Sequence, residues 1–460
     1  MRNMTLKEIA IACAGVYYGD DDSYYKEVSG VTIDSRKVEK DYLFVAIRGA
    51  RVDGHMFISQ VIENGALCAI SEKRIENAAH PYILVNSSEQ ALKDIAEHYR
   101  KSLHIKVIGI SGSVGKTSTK EMIGSVLEQK YSVLKTAGNF NNEIGLPLTI
   151  FNIREEHEIA ILEMGISDFG EMERLARMAR PDICVLTNIG CAHIEQLKTR
   201  EGILKAKTEM FQFMNKSGSI ILNGDDDMLA AVKPANGIKP VFFGLSDHRD
   251  VYASDLINLG LKGTTCTIHT PQGTLTAAIS IPGAHMVLNA LSAAAVACEL
   301  GLTLEEIRAG IEALVPISGR NNMFEANDLV IIDDCYNANP DSMKASLDVL
   351  SYASTRKVAI LGDMFELGGS ASERHYQVGE HAAEAGIDML CCIGELSEFI
   401  AKGATETNPN VIVHCFETKD DFLKVCPELI SMNDTILVKA SHGMEFPEIV
   451  EKLQHIQLTK

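Results

Sequence analysis

The chain has 460 residues, of which 46% are hydrophobic and 23% charged; this is globular composition and length for about three domains, and it excludes collagen, disorder and coiled coil. Lys plus Arg number 43 against 62 Asp plus Glu, a formal charge of -19, so duplex nucleic acid or an anionic membrane is repelled and any anionic ligand needs local donors. Eleven cysteines are scattered without a C-x-x-C spacing, which points to a reducing, cytoplasmic compartment and away from zinc or redox work.

The apolar stretch Ile9 to Tyr18 is approached by Lys7 and Glu8 and has only Arg2 as a basic leader, so it reads as an amphipathic surface helix, not a signal peptide. No run reaches the roughly 20 apolar residues of a membrane span. Strand-like runs at Val28 to Ile33, Leu43 to Ile47 and Tyr82 to Val85, with a helical pattern from Phe57 to Asn64, make residues 1–87 a small α/β domain. Gln90 to Leu103, with Leu92, Ile95, Ala96 and Tyr99 on one face, is a linking helix.

Buried-type strands then alternate with helices: Val107 to Ile110, Ile159 to Leu162, Ile183 to Leu186 and Ile220 to Leu222, with Lys116 to Gln129 and Met172 to Met178 between them. Such alternation predicts a parallel sheet covered on both faces. The β-like stretch Asp255 to Ile281 and the Ala-rich helix Asn289 to Leu300 complete this central domain, residues 88–316. After Pro316 the pattern restarts with Leu329 to Ile332, Val358 to Leu361, Met389 to Ile393, Val411 to Val413 and Ile436 to Val438, a second doubly wound, Rossmann-like domain over residues 317–460. Ligands of open parallel sheets bind beyond the carboxyl ends of the strands. The polar clusters Gly112 to Thr117, Glu163, Thr187-Asn188, Asp333-Asp334, Gly362-Asp363 and Lys439 all follow strands, so a cleft between two such faces is expected.

Gly112, Ser113, Val114, Gly115, Lys116, Thr117 and Ser118 lie between an apolar strand and a helix whose inner face is Met122, Ile123, Val126 and Leu127, the setting of a phosphate loop. Its backbone N–H groups and helix N-terminus suit phosphates, Lys116 adds a point charge for the β/γ-phosphates, and the Thr117 hydroxyl suits Mg²⁺. ATP or GTP follows; a dinucleotide loop does not, since G-x-G is absent and Lys116-Thr117 has no role there. Mg²⁺ takes oxygen ligands, few of them from protein, so Glu163 is either a magnesium carboxylate or a solvated strand-end acid. His193 fits a second metal or a loop cap.

These residues resemble the ATP-dependent Mur ligases of peptidoglycan synthesis over nearly the whole chain. The resemblance rests on Gly112 to Ser118, Asn139 to Pro147, Glu163 to Gly165, Thr187 to His193, Ala206 to Phe211, Asn289 to Leu291, Gly319-Arg320, Asp333 to Pro340, Gly362 to Gly368 and Lys439 to Ser441. The Asp333 to Met343 string is similar to the members that join D-alanyl-D-alanine to UDP-N-acetylmuramoyl-tripeptide. It implies ATP and Mg²⁺ as cofactors, an acyl-phosphate intermediate, these two acceptor substrates and no obligate protein partner. A paralogue ligating another amine and a P-loop ATPase switch are the rival readings.

By the same resemblance the first domain holds the UDP-sugar through Asp34, Ser35 and Arg36; Asn139, Asn142, Tyr336 and Asn337 meet substrate; Asn289 contacts adenine, Asp334 ribose, and Arg320 enters as the third domain closes. Lys116, Glu163, His193, Lys207 and Arg320 carry catalysis, with Thr117, Glu163, His193 and Lys207 around metal. Lys207 matches the family's carbamylated lysine, because an ammonium has no lone pair for a metal whereas a carbamate does; Lys205, two residues away, points elsewhere. The chain departs from the family's H-N-x-x-N at His285-Met286-Val287-Leu288-Asn289 and from its K-G-S-R at Lys439-Ala440-Ser441-His442. Met286 removes one of two amides near adenine, and His442 is shorter than arginine and mostly neutral at pH 7.

Overall fold

The structure, a computed structural model, describes residues 1, 3–76, 78 and 80–456. It contains three sheets in chain order, each an α/β unit. The first has β1 (Val16–Tyr18), β2 (Gly30–Thr32), β3 (Tyr42–Val45), β4 (Cys68–Ser71) and β5 (Tyr82–Leu84), in the order β1-β5-β4-β3-β2. Only β1 runs antiparallel to its neighbour. The expected surface helix over Ile9 to Tyr18 is two elements. Helix Leu6–Ala12 is started by a capping box between Thr5 and Glu8, and the chain then turns at Ala14, φ 48°, into β1. The apolar run continues through the turn because both elements pack on one core, which is why its composition hides the break.

The second sheet comprises β6 (Lys106–Ser111), β7 (Val133–Lys135), β8 (Ile159–Glu163), β9 (Ile183–Leu186), β10 (Ser219–Asn223), β11 (Val241–Gly244), β12 (Val251–Asn258), β13 (Thr264–Thr270) and β14 (Gly273–Ile279). Its order is β14-β13-β12-β11-β10-β9-β6-β8-β7. Strands β7 to β12 are parallel, and the hairpin β13–β14 extends the sheet antiparallel from β12. Strands β7 and β11 are three and four residues long, too short to show a period against their polar flanks. The Ala-rich helix begins at Ala284, five residues before the expected start, and Leu304–Glu312 adds a helix with its own capping box.

The third sheet holds β15 (Asn322–Ala326), β16 (Leu329–Asp333), β17 (Lys357–Gly362), β18 (Met389–Ile393), β19 (Ile412–Phe416) and β20 (Thr435–Lys439), ordered β15-β16-β20-β17-β18-β19. It is parallel except for the edge hairpin β15–β16. Two cores, one on each face of this sheet, are built from the third unit's own buried residues, with only the partly buried Leu261 of the second unit packed against one of them among the described residues.

The first two sheets are not separated in this way. One apolar core runs from Leu6, Ile9 and Leu43 through Leu92, Ile95 and Tyr99 to Leu146, Leu175 and Leu186. Helix Ser88–Ser102, expected as a linker, is the wall they share: Tyr99 donates to the Ile153 carbonyl at 2.7 Å and Arg100 Nε to the Ala179 carbonyl at 2.9 Å. Among the described residues no helix is long and apolar enough to cross a membrane.

Candidate active site

Strand β6 lies between β8 and β9, so the loop after it is flanked by the ends of both. The β6–β8 register pairs Ile110 with Glu163, and the β6–β9 register pairs Ser111 with Leu186, which delivers Glu163 to one side of the loop and Thr187-Asn188 to the other. Gly112 has φ 153°, and a Cβ there would lie 1.9 Å from Thr187 Oγ1. Thr187 Oγ1 donates to the Val114 carbonyl at 2.7 Å, and Asn188 receives the Val114 N–H on Oδ1 at 2.9 Å. Gly115, φ 79°, then opens helix Lys116–Leu127. The loop is thereby held open at the helix N-terminus, where backbone N–H groups are unpaired and the dipole favours an anion.

Lys116 Nζ folds over the loop, donating to the Gly112 carbonyl at 2.8 Å. Burial lowers its pKa; Glu163 opposes this and the Arg320 charge adds to it. Thr117 Oγ1 donates to Glu163 Oε2 at 3.0 Å, and Asn141 Nδ2 to Glu163 Oε1 at 2.8 Å. Lys120, 2% exposed, gives its ammonium to the Thr136 carbonyl at 2.6 Å and stands 3.9 Å from Glu163. Glu163 is itself 2% exposed, so its charge faces a wall of donors and not bulk water.

Asn289, on the Ala-rich helix, accepts from Thr119 Oγ1 at 2.8 Å, and its Nδ2 lies 3.3 Å from Met286 Sδ. The sulfur of Met286 thus touches the Asn289 amide. From the third sheet, the β16–β20 register pairs Asp333 with Val438, so the next residues, Asp334 and Lys439, also meet: Lys439 Nζ lies 2.6 Å from Asp334 Oδ2. Asp334 also receives the Asn321 N–H at 3.0 Å and the Ser346 hydroxyl at 2.5 Å. Arg320 stacks its guanidinium 3.9 Å from the Tyr336 ring centroid, and His442 lies on the same tyrosine at 5.4 Å. The Asn337 carbonyl accepts from Lys439 at 3.0 Å.

Ser113 to Thr119, Glu163, Thr187, Asn188, Asn289, Arg320, Asp334, Tyr336 and Lys439 border one cavity of about 710 Å³ between the second and third units, which also takes in Asn139, Asn142 and His193. Asn142 spends its Oδ1 on the N–H groups of Ile144 and Gly145, at 3.1 and 2.8 Å, starting helix Gly145–Ile150. His193 has φ 58° and lies with Nδ1 2.6 Å from Glu366 Oε2 of the third unit, without a hydrogen bond at Nδ1. Asp34, Ser35 and Arg36 lie away from this cavity, in a short helical turn of the first unit. There Asp34 grips Arg36 through Nε at 2.9 Å and Nη2 at 2.8 Å, which holds the Asp34 carboxyl down at about 2.

Lys205 and Lys207 share helix Arg200–Thr208 but not its environment: Lys205 is exposed and Lys207 is 1% exposed. Among the described residues Lys207 has no carboxylate partner, and burial, reinforced by the charge of Lys116, lowers its pKa well below the ordinary lysine value. Among the described residues no three His, Cys, Asp or Glu side chains cluster as a complete metal cage. Thr117 and Glu163 are a hard-oxygen pair that fits Mg²⁺ completed by phosphate and water. His193 and a buried, unmodified Lys207 ammonium outside the cavity lining fit a cation poorly.

Asn141, Lys120, Thr119, Asn188, Ser346 and Glu366 belong to this arrangement and were given no role from the sequence. Asn141, Asn188 and Glu366 stand inside motifs that were noticed; Thr119 and Lys120 continue the loop helix at positions where only the fold tells an inward side chain from an outward one.

The chain is similar to known proteins over nearly all of its length. Residues 110–297 match the Mur ligase middle domain, 319–442 the Mur ligase glutamate ligase domain, and 27–100 the Mur ligase family catalytic domain. The UDP-N-acetylmuramoyl-tripeptide--D-alanyl-D-alanine ligase of Bacillus subtilis (strain 168) is 38% identical over 93% of both chains, and that of Escherichia coli (strain K12) 33% over 99% of both. The crystal structure of MurF from Acinetobacter baumannii superposes with a TM-score of 0.89 at 31% identity, covering 98% of this chain and 99% of that one. MurF ligase from Thermotoga maritima in complex with ADP superposes with a TM-score of 0.82 at 30% identity, covering 93% and 97%. With its phosphate loop, its paired strand-end faces and these matches along its whole length, the chain belongs to the Mur ligase family.

Proposed function

We infer that the chain is the ATP-dependent ligase that adds D-alanyl-D-alanine to UDP-N-acetylmuramoyl-tripeptide, forming the peptidoglycan precursor UDP-N-acetylmuramoyl-pentapeptide. The observation that carries this reading is the single cavity in which the phosphate loop of one sheet faces Arg320, Asp334 and Lys439 of another. A nucleotide held by one face is covered by the other. The reaction is accordingly the transfer of the γ-phosphoryl group to the tripeptide carboxylate, followed by attack of the dipeptide amine on the acyl phosphate and release of phosphate. No protein nucleophile is needed, and positioning and charge carry catalysis.

In this reading Lys116 and Arg320 bring positive charge to the phosphoryl oxygens from the two sides of the cavity, while Gly112 to Ser118 cradle the phosphates. Asn289 faces adenine, with its amide oriented by Thr119; Asp334 faces ribose from its Lys439 and Ser346 contacts. Thr117 and Glu163 would hold a Mg²⁺, and His193 would hold a second only with Lys207 carbamylated. These ions supply charge neutralisation when bound. Residues 1–87 take the UDP-sugar through Asp34, Ser35 and Arg36, residues 88–316 the nucleotide, and residues 317–460 the cover over it, with Asn139, Asn142, Tyr336 and Asn337 toward the peptide substrates. The scattered cysteines support a cytoplasmic setting.

Mass spectrometry of the product from ATP, UDP-N-acetylmuramoyl-tripeptide and D-alanyl-D-alanine tests the reading: the pentapeptide and one ADP per amide are expected. ATP hydrolysis at the same rate without both acceptors would instead mark an ATPase switch.

A further inference from the structure

Cys392 and Cys415 lie far apart in the sequence and share no motif, yet the β18–β19 register sets them opposite one another. Side chains in register on neighbouring strands share a face of the sheet. On that face Cys392 is 1% exposed, within the core to which helix Ser397–Thr407 contributes Ile400, Ala401 and Ala404. Cys415 is the one exposed cysteine among the described residues. The pair is therefore an open thiol in front of a buried one. Adjacent strands bring their Cα atoms to about 5 Å, inside the span of roughly 4.4 to 6.8 Å that a disulfide bridges. Strand β19 is the edge of its sheet and is paired on one side only, so it can make the small shift that closing the bond asks. The two thiols are hydrogen-bonded to each other, which holds the Cys415 thiol down at about 7 and pushes that of Cys392 well up. The thiolate is the nucleophile, and near neutral pH it resides on the exposed member.

We propose that Cys415 and Cys392 are a peroxide-reactive thiol pair, in which Cys415 attacks a hydroperoxide and Cys392 closes the product to a disulfide. With hydrogen peroxide, the Cys415 sulfur bonds to one oxygen, the O–O bond breaks, and the departing oxygen takes a proton and leaves as water. Cys415 is then a sulfenic acid. The Cys392 sulfur attacks the Cys415 sulfur, the S–O bond breaks, and the Cys392 proton leaves with the hydroxyl as a second water. Two thiols and one peroxide thus give one disulfide and two waters, the sulfurs losing the two electrons that the peroxide gains. A dithiol reductant reverses the step and is itself oxidised to a disulfide. Without a resolving partner, the sulfenic acid of an exposed cysteine goes on to the sulfinic acid and is lost. Neither cysteine borders the nucleotide cavity, so this chemistry is separate from ligation.

The test uses the full chain, reduced and then freed of reductant, with hydrogen peroxide as the probe and peptide mass spectrometry after alkylation as the reading. In the wild type both free thiols should be lost together, into a peptide joining Cys392 to Cys415 that is lighter by two hydrogen atoms and that dithiothreitol separates. In Cys392→Ala, Cys415 should instead be trapped by dimedone as the sulfenic acid and, left untrapped, pass to the sulfinic acid. In Cys415→Ser, Cys392 should stay reduced and alkylate only after denaturation. Wild-type mapping decides even if Cys392→Ala fails to pack. Cys415 as a sulfinic acid beside a reduced Cys392 in the wild type would overturn the pairing. A Cys415 left unreacted while half-buried Cys191 is oxidised would overturn the proposal altogether.

Discussion

Thr119 Oγ1 donates to Asn289 Oδ1 at 2.8 Å, tying the helix of the phosphate loop to the Ala-rich helix 170 residues later. Because the hydroxyl occupies the carbonyl end of the amide, the NH₂ end is fixed toward Met286 and the cavity. Thr119→Val removes the donor while keeping the shape. It should raise KM for ATP by roughly fivefold, the worth of one net hydrogen bond, with kcat nearly kept; steady-state kinetics at saturating acceptors measures it.

Lys116→Ala should lower kcat by about 100-fold or more, as loss of a preorganised charge at a phosphoryl site does. The melting temperature should change little, because Thr187 and Asn188 still brace the loop when the contact of the ammonium with the Gly112 carbonyl is lost. Near wild-type turnover of the variant would remove Lys116 from the chemistry.

Lys207→Met replaces a buried ammonium lacking an acidic partner by a chain of similar volume. Turnover should be almost lost, whereas Lys205→Ala should stay near wild type, and bicarbonate or a short carboxylate should partly restore Lys207→Ala. Stability gives an independent reading in CO₂-depleted buffer. The folded pKa of Lys207 lies below the unfolded value near 10.4, so the unfolded chain binds more protons between the two and stability rises with pH across that window. Lys207→Met should melt higher than wild type at neutral pH and show a flatter pH dependence up to about 10; equal slopes for the two proteins would contradict the buried free ammonium.

Arg36 is 86% exposed in its side chain yet held by Asp34. Arg36→Ala should raise KM for the UDP-linked substrate and leave KM for ATP and the melting temperature alone. It should also let the Asp34 carboxyl titrate upward from about 2 toward its ordinary 3.8, which carbon-detected NMR of the carboxyl resolves.

The reading from sequence succeeds where function and periodicity coincide. Gly112 to Ser118 announce themselves because phosphate binding dictates residue type at consecutive positions, and Glu163 because it ends an apolar run. It fails where a side chain acquires meaning through a distant partner. Nothing local distinguishes Glu366 in Phe365-Glu366-Leu367 from a surface acid, since its partner lies 173 positions earlier. Lys120 reads as a solvated helix lysine next to Glu121, and only the placement of Thr136 and Glu163 makes it a buried donor. The division between the first two units misleads for a related reason. Turn clusters near Ser87 mark a change of sheet, but the core passes across it through Leu92, Ile95 and Tyr99.

That shared core bears on how the molecule comes apart. Three sheets suggest three melting units, but sheets one and two cannot be parted without exposing Leu6, Ile9, Leu146 and Leu175 to water together, whereas the third unit carries its own cores and is joined through a strand-free stretch with Val315 74% exposed. Heating should therefore resolve two calorimetric transitions. A cut near Val315 should release a C-terminal fragment that refolds alone, while a cut near Ser87 should leave its two halves associated.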